Sequence, residues 1–188
     1  MPERLQHEFP PFFRKDSTRL FLGSFPSVKS REQQFYYGHP QNRFWKIMTI
    51  LFEGKDVDRK ELTDYARAEE ILQELGCPKT REEKAAFAKK HRIALWDVID
   101  SCEITGSSDL SIRNAVVNDL SLVLPKSRIG KIYINGRTAY KLFQKHMLSD
   151  ALRLGLKEED CICLPSTSPA NAAFSLCKLL EAWEIILP

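Results

Sequence analysis

The 188-residue chain has no run of eighteen apolar residues, and its first thirteen residues hold no continuous apolar stretch ending in a small-residue cleavage site. That pattern argues against membrane-spanning and secreted classes, so an intracellular, cytoplasmic protein with no membrane partner is expected. Cysteine is sparse and odd in number: Cys77, Cys102, Cys161, Cys163 and Cys177. An odd set without a secretion signal favours free thiols over a disulfide framework. Cys161-x-Cys163 has no Cys-x-x-Cys partner, and no His-x-x-x-His pair occurs, so neither a metal nor any other cofactor is expected. The phosphate-cradling Gly-x-x-x-x-Gly-Lys-Ser/Thr and the dinucleotide-binding Gly-x-Gly-x-x-Gly are both missing. Charge of one sign is also scarce, since 28 Lys and Arg against 25 Asp and Glu leave +3. A nucleic-acid partner is permitted by that balance but not implied by it, because clustering matters more than the sum.

What is present fits one globular domain. The chain is 43% hydrophobic, 28% charged and 10% aromatic, and no repeat, low-complexity tract or linker divides residues 1–188. At this length roughly 70% of the unfolded chain's surface is buried on folding, so no covalent staple is needed. Four short apolar runs stand out: Arg19 to Leu22, Ile93 to Ile99, Lys131 to Ile134 and Cys161 to Leu164. Each is followed by loop residues and then a helical pattern, an alternation that predicts a parallel sheet with helices on both faces. The helical stretches are Asn42 to Phe52, Arg59 to Leu75, Arg81 to His91, Val116 to Leu124, Arg137 to Met147 and Pro169 to Ile186. Proline suits the first turn of a helix, so Pro169 is read there with Ser168 as its cap. His7, His91 and His146 are isolated and default to surface or core roles.

Ligands of open parallel sheets bind at the carboxyl ends of the strands, which directs attention to the connecting loops. The first loop runs Gly23-Ser24-Phe25-Pro26-Ser27 and continues to Tyr37-Gly38-His39-Pro40-Gln41-Asn42-Arg43-Phe44-Trp45. The second begins at Asp97 and takes in the polar stretch Asp100 to Asn114. The last is Leu164-Pro165-Ser166-Thr167-Ser168-Pro169-Ala170-Asn171.

The first and last of these loops together resemble motifs of the uracil-DNA glycosylase superfamily, most closely its hypoxanthine (deoxyinosine) DNA glycosylase branch. The His-Pro-x-Asn-Arg-Phe-Trp run is also similar to that of the mismatch-specific uracil/thymine glycosylases. The resemblance extends in order from about Leu20 to Trp183. It implies a three-layer α/β/α fold with a short four-stranded parallel sheet, and a monomeric DNA repair glycosylase acting on deaminated bases: hypoxanthine first, with uracil and xanthine as further candidates. In a prokaryote it would be associated with the nucleoid.

An enzyme of this kind must extrude the nucleotide, stack the base on an aromatic ring, read its polar edge and hold the flanking phosphates. Tyr37 stands where relatives place a stacking aromatic, and the alternative is that Phe35, Tyr36 and Tyr37 are all core. Gly23, Ser24 and Ser27 allow close backbone approach to a base or phosphate, or else form an ordinary strand-ending turn. Many superfamily members orient the attacking water with an Asp or Asn two residues after the first-motif Gly. This chain has Phe25 there, which implies that the work moves to Asn42, whose alternative role is capping the next helix. Leu164 replaces the His that uracil-specific members often carry, leaving His39 or backbone N–H groups to stabilise the departing base. The leucine wedge is absent too, its stretch reading Thr167-Ser168-Pro169.

Asp97 is placed as a base reader, since a carboxylate accepts only and favours N1–H of hypoxanthine or N3–H of uracil. Asn114 is a second reader, with a loop-stabilising role as the alternative for both. Ser27, Arg43, Arg113, Ser166, Thr167 and Ser168 are assigned to DNA, and Lys29 and Arg31 are further basic residues of these loops. No lysine lies inside either motif, which points to a monofunctional hydrolase rather than one that attacks the sugar with an amine. A catalytically silent DNA-binding module and a hydrolase of free nucleosides remain the competing readings.

Overall fold

The computed structural model describes residues 3–105 and 111–187. In chain order the strands are β1 (Glu3–Gln6), β2 (Arg19–Gly23), β3 (Ile93–Asp97), β4 (Ile99–Ile104), β5 (Arg113–Val117), β6 (Lys131–Asn135) and β7 (Cys161–Leu164). The α-helices are α1 (Val28–Gln33), α2 (Phe44–Glu53), α3 (Tyr65–Glu74), α4 (Arg81–Lys90), α5 (Arg137–His146), α6 (Leu148–Arg153) and α7 (Leu176–Trp183).

β3, β2, β6 and β7 form, in that order, a four-stranded all-parallel sheet. Strands covered on both faces read as unbroken apolar runs, and every residue of β3 is buried. Helices cover the two faces, giving the expected three-layer α/β/α arrangement. On one face Phe21 of β2 stacks between Tyr133 of β6 and Trp183 of α7, and Phe44 of α2 packs edge-on against both Phe21 and Trp183.

The strand order reverses between the two central strands. The chain leaves β2 for β3 on one side, then returns past β2 to β6 and continues outward to β7. Right-handed crossovers put these connections on opposite faces, so a crevice opens at the carboxyl ends of β2 and β6. Gly23 and Asn135 are the last residues of those strands.

Several expectations need correction. The Ile93 to Ile99 run breaks after Asp97, and the stretch read as a polar loop from Asp100 to Asn114 contains β4 and the start of β5. Residues 106–110 of that stretch lie outside the described residues. β1, β4 and β5 form a second, antiparallel sheet in the order β1-β4-β5 that the sequence reading did not foresee. The expected helix from Val116 to Leu124 is instead the end of β5 followed by 3-10 turns at Leu120–Leu122 and Leu124–Lys126, because Asp119 caps the first turn and Pro125 cannot supply an N–H to a longer one. The Arg59 to Leu75 stretch divides at Asp64, whose side chain caps α3 by accepting from the Arg67 N–H at 2.8 Å. Most consequential for the site, the last helix does not start at Pro169. It is capped by Ser175, which accepts from the Lys178 N–H at 3.3 Å, and so residues 165–174 stay open as a loop.

Candidate active site

The crevice at the switch point is a cleft of ≈ 1310 Å³. The carboxyl ends of all four parallel strands or the loops that follow them supply its wall: Gly23 to Ser27 after β2, Asp97 of β3, Asn135 of β6, and Leu164 to Ser168 after β7. Tyr37 and Asn42 close one side, and the face of α5 carrying Arg137, Lys141 and Gln144 closes another.

Asn42 sits at the head of α2, half-buried, and is tied across 125 residues of sequence to Thr167. Its Oδ1 accepts from the Phe44 N–H at 3.0 Å and from the Thr167 hydroxyl at 2.8 Å. Thr167 is fully buried and is itself gripped by Asn135, whose Oδ1 accepts from the Thr167 N–H and whose Nδ2 donates to the Thr167 Oγ1, both at 2.9 Å. Asn42 therefore braces the start of α2 through the Phe44 N–H and also lines the cleft.

Arg43 turns the other way. Its guanidinium donates to the carbonyls of Thr167 (3.4 Å), Ser168 (2.7 Å), Asn171 (3.0 Å) and Phe174, while its backbone N–H donates to the Thr167 carbonyl at 3.0 Å. Burial pulls its pKa below the usual guanidinium value. This side chain was expected to meet phosphate, and it instead holds the 167–174 loop open by satisfying carbonyls that a helix would otherwise occupy.

Tyr37 stacks on Phe44 with ring centroids 3.8 Å apart and planes 13° from parallel. Its backbone is left-handed at φ 53°, a conformation that costs a bulky residue of order 1–3 kcal/mol and tends to persist at functional sites. The hydroxyl is buried and makes no hydrogen bond of proper geometry, although Asn135 lies nearby. Burial, with Asp97 adding to it, pushes the phenol far above its ordinary value, so Tyr37 stays neutral.

Asp97 is 5% exposed and is hydrogen-bonded through Oδ2 to Nε2 of His7 at 2.9 Å. His7 reaches it from just beyond β1 and lies against the rings of Phe9, Phe25 and Tyr36. The other carboxylate oxygen presses on Gly23, where a Cβ would come within 2.3 Å of Oδ1. Only glycine fits beneath that carboxylate without displacing it. Gly136, at φ 103°, makes a comparable allowance at the start of α5, where a Cβ would lie 3.1 Å from Ser166.

Of the residues singled out from the sequence, the structure brings Gly23, Ser24, Phe25, Ser27, Tyr37, Asn42, Asp97, Ser166, Thr167 and Ser168 to this cleft. Ser166 and Ser168 bond within their own loop, accepting from the N–H groups of Ser168 and Ala170. Four others are not on its wall, Arg43 among them. His39 lines a separate cavity of ≈ 490 Å³ behind Tyr37, and its Nδ1 accepts from the Gln41 N–H. Arg113 and Asn114 lie on β5, with Arg113 donating to the Ile112 carbonyl at 2.8 Å. Sequence reasoning missed Asn135, His7 and the cationic face of α5. The first was accessible by the rule that singled out Asp97, being the polar residue that ends an apolar strand. For His7 there was no such signal.

The model of the uracil DNA glycosylase superfamily matches residues 10–186. The hypoxanthine DNA glycosylase of Methanosarcina acetivorans is 32% identical over 185 residues, spanning 97% of this chain and 98% of that protein. Its counterpart from Methanosarcina barkeri is 29% identical over 115 residues, 61% of this chain and 60% of that one. Among solved structures, the solution NMR structure of a candidate uracil DNA glycosylase from Methanosarcina acetivorans superposes with a TM-score of 0.66 at 30% identity, covering 95% of this chain and 93% of the other.

Proposed function

The chain belongs to the uracil DNA glycosylase superfamily and is a DNA glycosylase, and on that premise we propose that it removes hypoxanthine from DNA, with uracil and xanthine as secondary substrates. The observation that carries this reading is the convergence of Gly23, Tyr37, Asn42 and Asp97 on one cleft at the switch point of the sheet. The target nucleotide is extruded from the DNA into this cleft, with Tyr37 as the aromatic platform. Such stacking is worth about 1–3 kcal/mol per base. Asp97 accepts from the N1–H of hypoxanthine, an edge that adenine lacks, and His7 and Gly23 hold the carboxylate in place for it. Asn42 is the catalytic side chain, and Thr167 holds it through the hydroxyl bond.

Phosphate contact falls to Arg137 and Lys141 rather than Arg43. Both are exposed on the cleft face of α5, and among the described residues neither makes an ion pair. Lys141 is the single lysine among the residues lining the cleft. With no amine built into the strand-end loops, hydrolysis by water leaves an abasic site without strand cutting, and the enzyme works as a monomer.

The reading is tested with duplex and single-stranded oligonucleotides carrying hypoxanthine, uracil or xanthine. Expected are alkali-labile sites from the hypoxanthine strand, no borohydride-trapped adduct, and loss of product with Asn42→Ala. Binding without alkali-labile product would make the protein a lesion sensor, and cleavage of free deoxyinosine with duplex ignored would make it a nucleoside hydrolase.

A further inference from the structure

Two backbone N–H groups fix the orientation of two side-chain amides in this site, and that orientation determines what Asn42 can do. The Thr167 N–H has Asn135 as its acceptor at 2.9 Å, so the Asn135 atom facing it is Oδ1. The other end of the same amide is then Nδ2, and it donates to the Thr167 Oγ1 at 2.9 Å. With one lone pair of Oγ1 occupied, the hydroxyl proton points along its remaining contact, toward Asn42 at 2.8 Å. Independently, the Phe44 N–H at 3.0 Å also needs an acceptor on Asn42. Both routes require the same atom to be Oδ1. Rotating the Asn42 amide by half a turn would set an NH2 group against the Phe44 N–H and against the Thr167 hydroxyl proton at once.

We propose that Asn42 presents its NH2 group, not its carbonyl, to the reacting centre, and that Asn135 and Thr167 are the positioning residues that enforce this. This deepens the functional reading above and rests on Asn42 being the catalytic side chain. An NH2 group donates, so it suits the departing base, on which negative charge develops, and not the O–H of an attacking water. In the reaction the C1′–N9 bond breaks with its electron pair leaving on the purine, and the water oxygen bonds to C1′. One water proton passes through solvent to the released base. The Asn42 donor, held in place before the reaction, stabilises the charge on the purine as the bond lengthens. The water-orienting role that the resemblance implied for Asn42 is thereby withdrawn, and Asp97, the one carboxylate among the residues lining the cleft, keeps its place as the reader of the base.

The test turns on Asn42→Asp. An aspartate keeps the two bonds accepted at Oδ1, so the fold and the brace at the start of α2 survive, and it replaces the cleft-facing NH2 with an oxygen. The expected result is a fall in single-turnover rate on a hypoxanthine duplex of about 100-fold or more, close to that of Asn42→Ala, with thermal stability near wild type. If Asn42→Asp stays within about tenfold of wild type while Asn42→Ala is inactive, the side chain orients water and the proposal is overturned. If Asn42→Ala is itself fully active, the failure lies earlier, in the assignment of Asn42 as catalytic.

The positioning residues supply the second arm. Thr167→Val removes the hydroxyl donor, and a loss of about 5–10-fold in rate is expected with duplex affinity unchanged, rescued by Thr167→Ser. Asn135→Asp draws the hydroxyl proton to itself, and its effect should not add to that of Thr167→Val. Additive losses, or losses in affinity alone, would refute the relay.

Discussion

Replacing Arg43 separates two roles that a basic residue in a DNA-binding loop can play. In the structure its guanidinium meets four carbonyls, those of Thr167, Ser168, Asn171 and Phe174, and so bridges α2 to the loop after β7. Arg43→Lys keeps the charge but not the planar fork, and an ammonium can reach one of these carbonyls and not all four. Three hydrogen bonds lost at roughly 0.5–1.5 kcal/mol each amount to about 2–3 kcal/mol, discounted toward the low end because the freed carbonyls can turn to water. For a domain of this size each kcal/mol moves Tm by about 2–4 °C, so the midpoint should fall by about 4–12 °C.

The loop that loosens carries Thr167, so activity should fall with stability even though charge is conserved. Arg43→Gln completes the comparison. A lost phosphate contact would flatten the salt dependence of DNA binding by about 0.9 in log–log slope. A carbonyl clamp leaves that slope unchanged. Calorimetry on Arg43→Lys and fluorescence anisotropy of Arg43→Gln against an abasic duplex at several salt concentrations decide the matter. Wild-type stability in the lysine variant together with a reduced slope in the glutamine variant would refute the clamp and return Arg43 to the phosphate backbone.

Four further outcomes are expected. Arg137→Ala with Lys141→Ala should reduce the salt slope by about 1.8 and weaken binding to any duplex alike, measured by the same anisotropy titration. Gly23→Ala forces a Cβ to within 2.3 Å of the Asp97 carboxylate, so hypoxanthine excision should collapse at a stability cost of about 1–3 kcal/mol, read by gel assay and urea unfolding. Tyr37→Phe removes a buried hydroxyl that lacks a well-formed hydrogen bond, and denaturant midpoints should be unchanged or higher, whereas Tyr37→Ala should lose about 1–3 kcal/mol of substrate binding. Burial pushes the Cys161 thiol up to about 11 from its ordinary 9.0. The folded state then holds a proton that the unfolded state releases first, so this group's contribution is intact below pH 9 and lost as pH rises toward 11, and Cys161→Ala should lessen the alkaline loss of stability over that window.

The parallel sheet was legible because strands buried on both faces must be continuously apolar, and Phe21, Leu95 and Ile134 sit in such runs. The antiparallel sheet was not. In β4, Asp100 and Glu103 stand three residues apart with Ser101 and Cys102 buried between them, and the pairing with β5 shifts register along the strand, so the period-2 alternation that marks a strand in a sequence is missing. The last helix was misplaced because Ser168-Pro169 has the chemistry of a helix start. What overrides it is Arg43, about 125 residues earlier in the chain, which captures the carbonyls needed to continue. Residue type foretold that Arg43 would find oxygen atoms, but not whether they belong to phosphate or to its own backbone. Asn135 and His7 escaped for a related reason: each acts through a partner distant in sequence, Thr167 for one and Asp97 for the other, 32 and 90 residues away.

The joint occurrence of the two loop motifs has a physical explanation in these contacts. Asn42 and Arg43 are adjacent, yet they grip the same loop with opposite polarity. The first accepts the Thr167 hydroxyl and the second donates to the Thr167 carbonyl from both its main chain and its guanidinium. Phe44 then anchors the pair in the core, fully buried between Phe21, Tyr37 and Trp183. Asn42 and Arg43 are therefore the part of the run from His39 to Trp45 that docks the loop from Pro165 to Phe174, and of the two Asn42 lines the cleft. A change in either loop should be felt as a change in the other. Asn42→Ala, beyond its chemical effect, leaves the Thr167 hydroxyl without its acceptor and should raise hydrogen exchange in residues 165–174, while Asn42→Asp should not. Equal exchange in the two variants would mean that the loops are held by Arg43 alone.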